Sequence, residues 1–410
     1  VHSIVASLSI SRLDSASKGL TVAPDLPLKF GFGPRLAALY AAFFIVAGIS
    51  QPFLPIWMSA KGLDPATIGF VLAAPMLLRV LIIPPATRQA DRRDALRGAI
   101  MVAACVAVAG YTLMGISSGA GEILAAYALA SLGFTPLMPL AETYAFKGLA
   151  VRGKAYGPVR LWGSATFILG NLAAGFAADI IPARHIIWMM VVASFGTALA
   201  ASGLLPITTA PPAASEPAPA RRSLLRDRPF IAVLAAASLI QASHAVFYGF
   251  SAVQWRGAGL DVTVIAALWG IGVAAEIVLF AFQGRLPPFF SPTVLLIVGA
   301  IGATLRWTGM ASDPPATALP WLQMLHALSF GATHLGALGF VARHASPGQA
   351  ATAQGYLAIA TGVVMAVAMG ISGVLYEAFG GLAYAAMALS AVAGGACAMV
   401  AYRAGDNAAH

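Results

Sequence analysis

The chain has 410 residues, 59% hydrophobic and only 10% charged, with 24 Lys and Arg against 15 Asp and Glu. Together with a mean hydropathy of +0.83, this excludes an ordinary soluble domain. The net charge of +9 does not indicate nucleic acid, since no RNA- or DNA-binding motif accompanies it; anionic lipid is the expected partner.

In chain order, residues 1–34 are expected to be a cytoplasmic arm, since they lack the basic region, apolar core and cleavage site of a signal peptide. Apolar stretches follow at 35–57, 66–86, 97–117, 121–146, 157–180, 186–206, 229–254, 263–283, 292–311, 317–342, 350–376 and 380–402. Each can cross a hydrocarbon core of about 30 Å as a helix of about 20 residues. The expected fold is therefore an all-α membrane protein of twelve transmembrane helices. The Pro/Ala-rich stretch 207–228 is expected to be a cytoplasmic linker between six-helix bundles at 35–206 and 229–403, with a tail at 404–410. With the N-terminus cytoplasmic, eighteen Lys and Arg fall on that side, and only Lys61, Arg184 and Arg256 fall outside. That asymmetry orients both termini inward. Cys105 and Cys397 have no metal or disulfide spacing and are expected to be small buried hydrophobes.

The stretch from Glu142 to Ser164 carries the clearest functional signal. Glu142 and Arg160 flank a turn near residue 151 at matched distance, so antiparallel helices would hold acid and base at one depth. Such charges are costly inside apolar helices unless paired or functional. Arg79, Glu276 and Arg306 also lie within spans, as do His244, His326 and His334. Arg306 and His326 flank a turn at Ser312-Asp-Pro-Pro315 and could meet, while His326 and His334 are about two helical turns apart. Histidine suits proton relay because its reference pKa is near 6.5. A structural ion pair and simple hydrogen-bonded histidines are the alternatives. Trp162, Gln241 and Tyr248 are candidate binding residues, although aromatics more often serve packing. Asp91 and Arg92 form either an inner gate or a solvated face. Glu377 is expected at the interface.

The two parts of the chain also echo each other. Gly62-Leu63-Asp64 matches Gly259-Leu260-Asp261, and this alignment sets Arg79 opposite Glu276. A six-plus-six parallel repeat is a transporter layout, with a midplane site between the parts.

Several segments resemble the 3-phenylpropionic acid transporter family, a branch of the major facilitator superfamily near lactose permease. They are Pro139-Leu-Ala-Glu142, Tyr156-Gly-Pro-Val-Arg-Leu-Trp-Gly-Ser164, the run Gln241 to Trp255, Leu268 to Glu276, Leu305-Arg-Trp307 and Leu319 to His326. The resemblance spans about residues 35–400. It implies that Glu142 and Arg160 correspond to the acid and base that hold substrate in lactose permease. It also implies that Glu276, Arg306 and His326 correspond to the coupling acid, arginine and histidine. Ser329 stands where that protein has a proton-releasing glutamate, so either the proton site moves, with Glu276 or His326 and His334 as candidates, or the coupling differs. The segment Ala86 to Arg93 is a degenerate version of the superfamily gate.

The resulting expectation is a monomeric inner-membrane carrier of a small organic solute, an aromatic carboxylate such as 3-phenylpropionate, coupled to a proton by alternating access. Substrate would meet Glu142, Arg160, Trp162, Gln241, His244, Tyr248 and Arg79. The proton would be handled by Glu276, Arg306, His326 and His334, with gating by Asp91 and Arg92. Efflux of an amphipathic compound and a non-transporting ligand sensor are the rivals. No cofactor or metal is expected. No nucleophile–base set or phosphate loop suggests an enzyme.

Overall fold

The structure is a computed structural model describing residues 31–92, 95–154, 156–207, 224–287, 289–345 and 349–406; the side chains of 79–92, 157, 158, 161, 350, 351, 405 and 406 are excluded from that description. Arg79, Asp91 and Arg92 therefore lie outside the described side chains. Most of the expected arm, linker and tail is outside as well.

Helices account for nearly all of the described backbone, as an apolar solvent requires, because a helix satisfies its N–H and C=O groups internally. The helices are α1 (Phe32–Ala60), α2 (Pro65–Arg92), α3 (Leu96–Ile116), α4 (Ala120–Ala150), α5 (Gly157–Ile180) and α6 (Ile186–Ser202). After the 208–223 segment come α7 (Arg228–Ala242), α8 (Ala245–Gly257), α9 (Val262–Phe282), α10 (Pro292–Ala311), α11 (Leu319–Met324), α12 (Thr333–His344), α13 (Ala350–Phe379) and α14 (Ala383–Asp406). Nine segments of the described chain are long and apolar enough to cross a membrane, and one of these, Thr352–Ala404, contains both α13 and α14. The outward faces carry bare apolar side chains such as Val192 (72% exposed), Phe195 (62%) and Leu389 (71%). Cys105 is exposed too, which corrects the expectation of burial for that residue.

Tertiary contacts define two ends of the bundle. At the proximal end, where α1 begins and α14 ends, Arg35 and Arg97 donate to the Gly203 and Ser202 carbonyls closing α6, at 2.6 and 3.2 Å. Cations there also complement the helix dipole. At the distal end, Lys61 donates to the Ser117 carbonyl (2.7 Å) and the Trp57 indole to the Arg184 carbonyl (3.1 Å). The repeated Gly-Leu-Asp turns both sit here, and Gly62 (φ 86°) and Gly259 (φ 88°) both adopt the left-handed conformation that glycine tolerates. Outside the helices, Asp64 accepts from the Thr67 N–H and hydroxyl. These bonds hold its carboxyl below the usual range.

Two expected spans are not continuous helices. The stretch 229–254 breaks at Ser243-His244, between α7 and α8. The stretch 317–342 divides into α11, a π-helical turn at Ala327–Ala332, and α12. Non-regular backbone at membrane depth is tolerated where protein surrounds it. The most apolar 18-residue stretch within Arg228–Gly257 is 78% buried, whereas the matching stretches of the other candidate spans reach at most 50%, so α7 and α8 lie deepest in the bundle. Trp307 is fully buried against them: its indole donates to the Ser243 hydroxyl (2.8 Å), and its ring stacks on Tyr384. Trp307→Ala is expected to cost about 3–5 kcal/mol, seen as a lowered thermal midpoint in detergent.

Candidate functional site

The backbone breaks at Ser243-His244 and at Ala327–Ala332 bring polar side chains together in the bundle interior. Arg306, on α10, is 0% exposed. One terminal nitrogen donates to His326 Nδ1 (2.9 Å) and Ser329 Oγ (3.3 Å), the other to Gln323 Oε1 (2.6 Å). Its guanidinium lies over Phe247 and Trp307, 4.4 and 4.6 Å from the ring centroids. Among the described residues, no carboxylate comes within 4 Å of it. The nearest route to an anion is through the imidazole, whose Nε2 stands 3.5 Å from Glu276 Oε2.

Hydrogen-bond direction assigns the tautomers. Guanidinium can only donate, so His326 Nδ1 accepts, the ring is neutral, and its proton sits on Nε2 facing Glu276. His244 Nδ1 lies 3.1 and 3.3 Å from the Gln241 and Ile240 carbonyls, and these can only accept. His244 therefore carries its proton on Nδ1. Its Nε2 accepts a hydrogen bond from the Ser329 hydroxyl at 3.1 Å, while Ser329 Oγ accepts from Arg306. Each proton is used once.

This cluster forms one wall of a chamber of about 980 Å³ lined by Arg160, Glu276, Arg306, His326 and His334 together with Phe44, Tyr127, Phe167, Tyr248 and Trp269. The lining reaches Leu338, Gln354 and Gly355 near the proximal end, and at the distal end α5 bonds to α9 and α13 to α2. On the opposite wall the Arg160 guanidinium packs 4.3 Å from the Phe44 ring centroid. Glu142 accepts from the Tyr156 hydroxyl at 3.3 Å. Arg160 acts through space on Glu142 and on Glu276.

Several sequence expectations meet in this chamber. Arg160, Gln241, Tyr248, Glu276, Arg306, His326 and His334 all line it. Others are corrected. Glu142 and Arg160 do not form a direct ion pair, because Tyr156 takes the carboxylate while Arg160 lies along an aromatic face. Trp162 is 58% exposed and absent from the lining. Two residues along an α-helix are rotated by about 200°, so a chamber-facing Arg160 turns Trp162 outward. His244 is 0% exposed and stands behind Ser329 instead of facing the chamber. As expected, His326 and His334 share one face, across the π-helical turn and with Phe330 stacked between their rings. Arg79, Asp91 and Arg92 remain outside the described side chains.

Sequence reasoning missed Gln323 and Tyr156, although each had a spacing signal. Gln323 precedes His326 by three positions and Tyr156 precedes Arg160 by four, the intervals that place side chains together on a helix. Three chamber-lining residues keep buried donors without a hydrogen-bond partner among the described residues: Arg306 Nε, Gln323 Nε2 and Trp269 Nε1.

Ser329→Ala is expected to cost about 1–3 kcal/mol by leaving Arg306 and His244 short of a partner, measured by thermal unfolding. Nitrogen-15 NMR of labelled histidine should find the ring proton on Nε2 of His326 and on Nδ1 of His244.

Known transporters resemble this chain in sequence and in fold. The MFS_1 like family matches residues 34–386. The "Probable 3-phenylpropionic acid transporter" of Escherichia coli (strain K12) is 31% identical over 374 residues, covering 87% of this chain and 94% of that protein. The "Maltose permease" of Geobacillus stearothermophilus is 26% identical, covering 67% and 70%. Among solved structures, the nucleoside transporter NupG superposes with a TM-score of 0.79 at 15% identity, covering 91% of this chain and 99% of that one. A bacterial homolog of the human lysosomal transporter Spinster, in an inward-facing and occupied conformation, superposes at 0.72 and 16% identity, covering 90% and 96%. The chain is thus a multi-pass membrane protein that belongs to the MFS_1 like family of major facilitator transporters of small solutes.

Proposed function

We propose that this protein carries a small organic anion together with a proton by alternating access, as a monomer of twelve spans in two six-helix sets, 35–206 and 229–403. The observation that carries this reading is the charge count of the interior. Arg160, Arg306, Glu142 and Glu276 sum to zero among the described residues. Arg306 has no contacting carboxylate and is balanced through His326 by Glu276. A proton on Glu276 leaves one positive charge in excess. A substrate carboxylate then restores neutrality, and loss of either alone leaves an unpaired charge in low dielectric, where it is costly. Loaded and empty carriers can rock, and half-loaded ones stall.

Arg160 is the proposed carboxylate receptor, since a guanidinium offers a planar pair of donors to carboxylate. Glu142 acts on it electrostatically from the same wall. Glu276 is the proposed proton site, with His326 as its bridge to Arg306 and His334 as a neighbour. Gln241 and Tyr248 line the solute path. An aromatic acid such as 3-phenylpropionate is favoured by the rings of Phe44, Tyr127, Phe167, Tyr248 and Trp269, and by the name of the Escherichia coli relative. The bias of Lys and Arg toward the proximal end supports an inner-membrane orientation with both termini cytoplasmic.

A second reading, proton-driven export of an amphipathic compound, is favoured by the chamber volume, near the top of the usual range for ligand sites. Proteoliposomes under an imposed pH gradient separate the two. Accumulation of labelled 3-phenylpropionate with the proton supports symport, and extrusion against it supports export. Arg160→Ala and Glu276→Gln are each expected to abolish uphill uptake, whereas Trp162→Leu should leave it within about twofold. Undiminished accumulation in both charge variants would reject the site.

A further inference from the structure

Two carboxylates at the distal end reach from one set of helices to the other. Asp179, in the last turn of α5, accepts from the backbone N–H groups of Val262 (2.7 Å) and Thr263 (3.0 Å) and from the Thr263 hydroxyl (2.7 Å) at the start of α9. Arg256 stands 3.5 Å away. Asp261, the residue that would cap α9 from its own strand of chain, makes no side-chain cap bond. Glu377, in the last turn of α13, accepts from the Ala66 N–H in the first turn of α2 (3.2 Å).

The two contacts are built alike. Each carboxylate follows, by one helical turn, a glycine that lets the helices touch. A Cβ on Gly175 would lie 2.6 Å from the Ala266 Cβ and 2.9 Å from the Val262 oxygen; one on Gly373 would lie 2.5 Å from the Pro65 oxygen and 3.0 Å from the Gly69 Cα. The helices they meet, α2 and α9, both begin just after the repeated Gly-Leu-Asp turn. A helix start has unpaired N–H groups and partial positive charge, so a carboxylate is favourable there. Here an anion comes from the other set: α2 also keeps a cap of its own from Asp64, whereas α9 is capped only while the distal ends are together.

We propose that Asp179 and Glu377 form a twin cap in trans that holds the distal end shut, making them positioning residues for the rocking step. They act through the first turns of α9 and α2. When the ends part, carboxylates and N–H groups pass to water, and Asp261 is placed to cap α9 as Asp64 caps α2 through Thr67. The clamp therefore releases without stranding a charge. This inference rests on the rocking part of the reading above and not on the solute or the proton.

The test is distal access to the chamber. Ser50 lines the chamber, and Ser50→Cys in a chain carrying Cys105→Ser and Cys397→Ser reports its accessibility to a membrane-impermeant maleimide added from the distal side of proteoliposomes. Asp179→Asn with Glu377→Gln is expected to raise the labelling rate roughly five- to tenfold, with a fall in proximal labelling that a merely loosened fold would not give. Thr263→Val, which leaves both carboxylates in place, should raise it by a smaller factor, and Asp179→Glu should stay near the parent. Gly175→Phe, a wedge between α5 and α9, is the control for opening. Fast labelling of the wedge beside unchanged rates in both Asp179→Asn/Glu377→Gln and Thr263→Val overturns the clamp alone. A wedge that does not label overturns the rocking reading and the clamp with it.

Discussion

A guanidinium sealed in the protein interior with no contacting carboxylate is the constraint on which the C-terminal helices are organised. Arg306 is fully buried, yet its direct partners are an imidazole, a hydroxyl and an amide. Neutral partners satisfy its donors without cancelling its charge, and the two aromatic faces supply only part of that compensation. The remaining balance reaches it across His326 from Glu276. A bridged pair of this kind is weaker than a contact ion pair and more easily rearranged.

The backbone is shaped to permit this arrangement. The interruption at Ser243-His244 aims His244 at Ser329, and the π-helical turn at Ala327–Ala332 presents Ser329 to both His244 and Arg306. π-Helical turns often occur at functional sites, and this one stands between the two histidines that flank Glu276. The other chamber wall is simpler. Among the described residues, Arg160 rests on Phe44 without a contacting anion, so the two walls hold charge differently.

Much of this was legible in the chain before any coordinates. Apolar stretches of suitable length located the helices because lipid leaves the backbone no other option, and the Gly-Leu-Asp repeat marked matching turns that proved to share a left-handed glycine. The intramembrane Glu276, Arg306, His326 and His334 line one chamber, and apolar surroundings make such residues conspicuous in the sequence. Side-chain direction was much less legible. Trp162 was assigned by proximity to Arg160, and helical rotation put it outside. Glu142 was matched to Arg160 by depth, but depth does not include the tyrosine that intervenes. The breaks in α7–α8 and α11–α12 have no hydropathy signature, because polar residues of either geometry read the same in a window average.

The directed hydrogen bonds around Ser329 have one more consequence. His244 keeps its proton against backbone carbonyls, Ser329 has already given its own, and a guanidinium does not release one. In these tautomers the chain ends on backbone carbonyls that take up no proton, so the hydrogen bonds behind Arg306 offer no relay. On the reading proposed above, a proton bound for Glu276 would have to arrive through the same water-filled space as the solute.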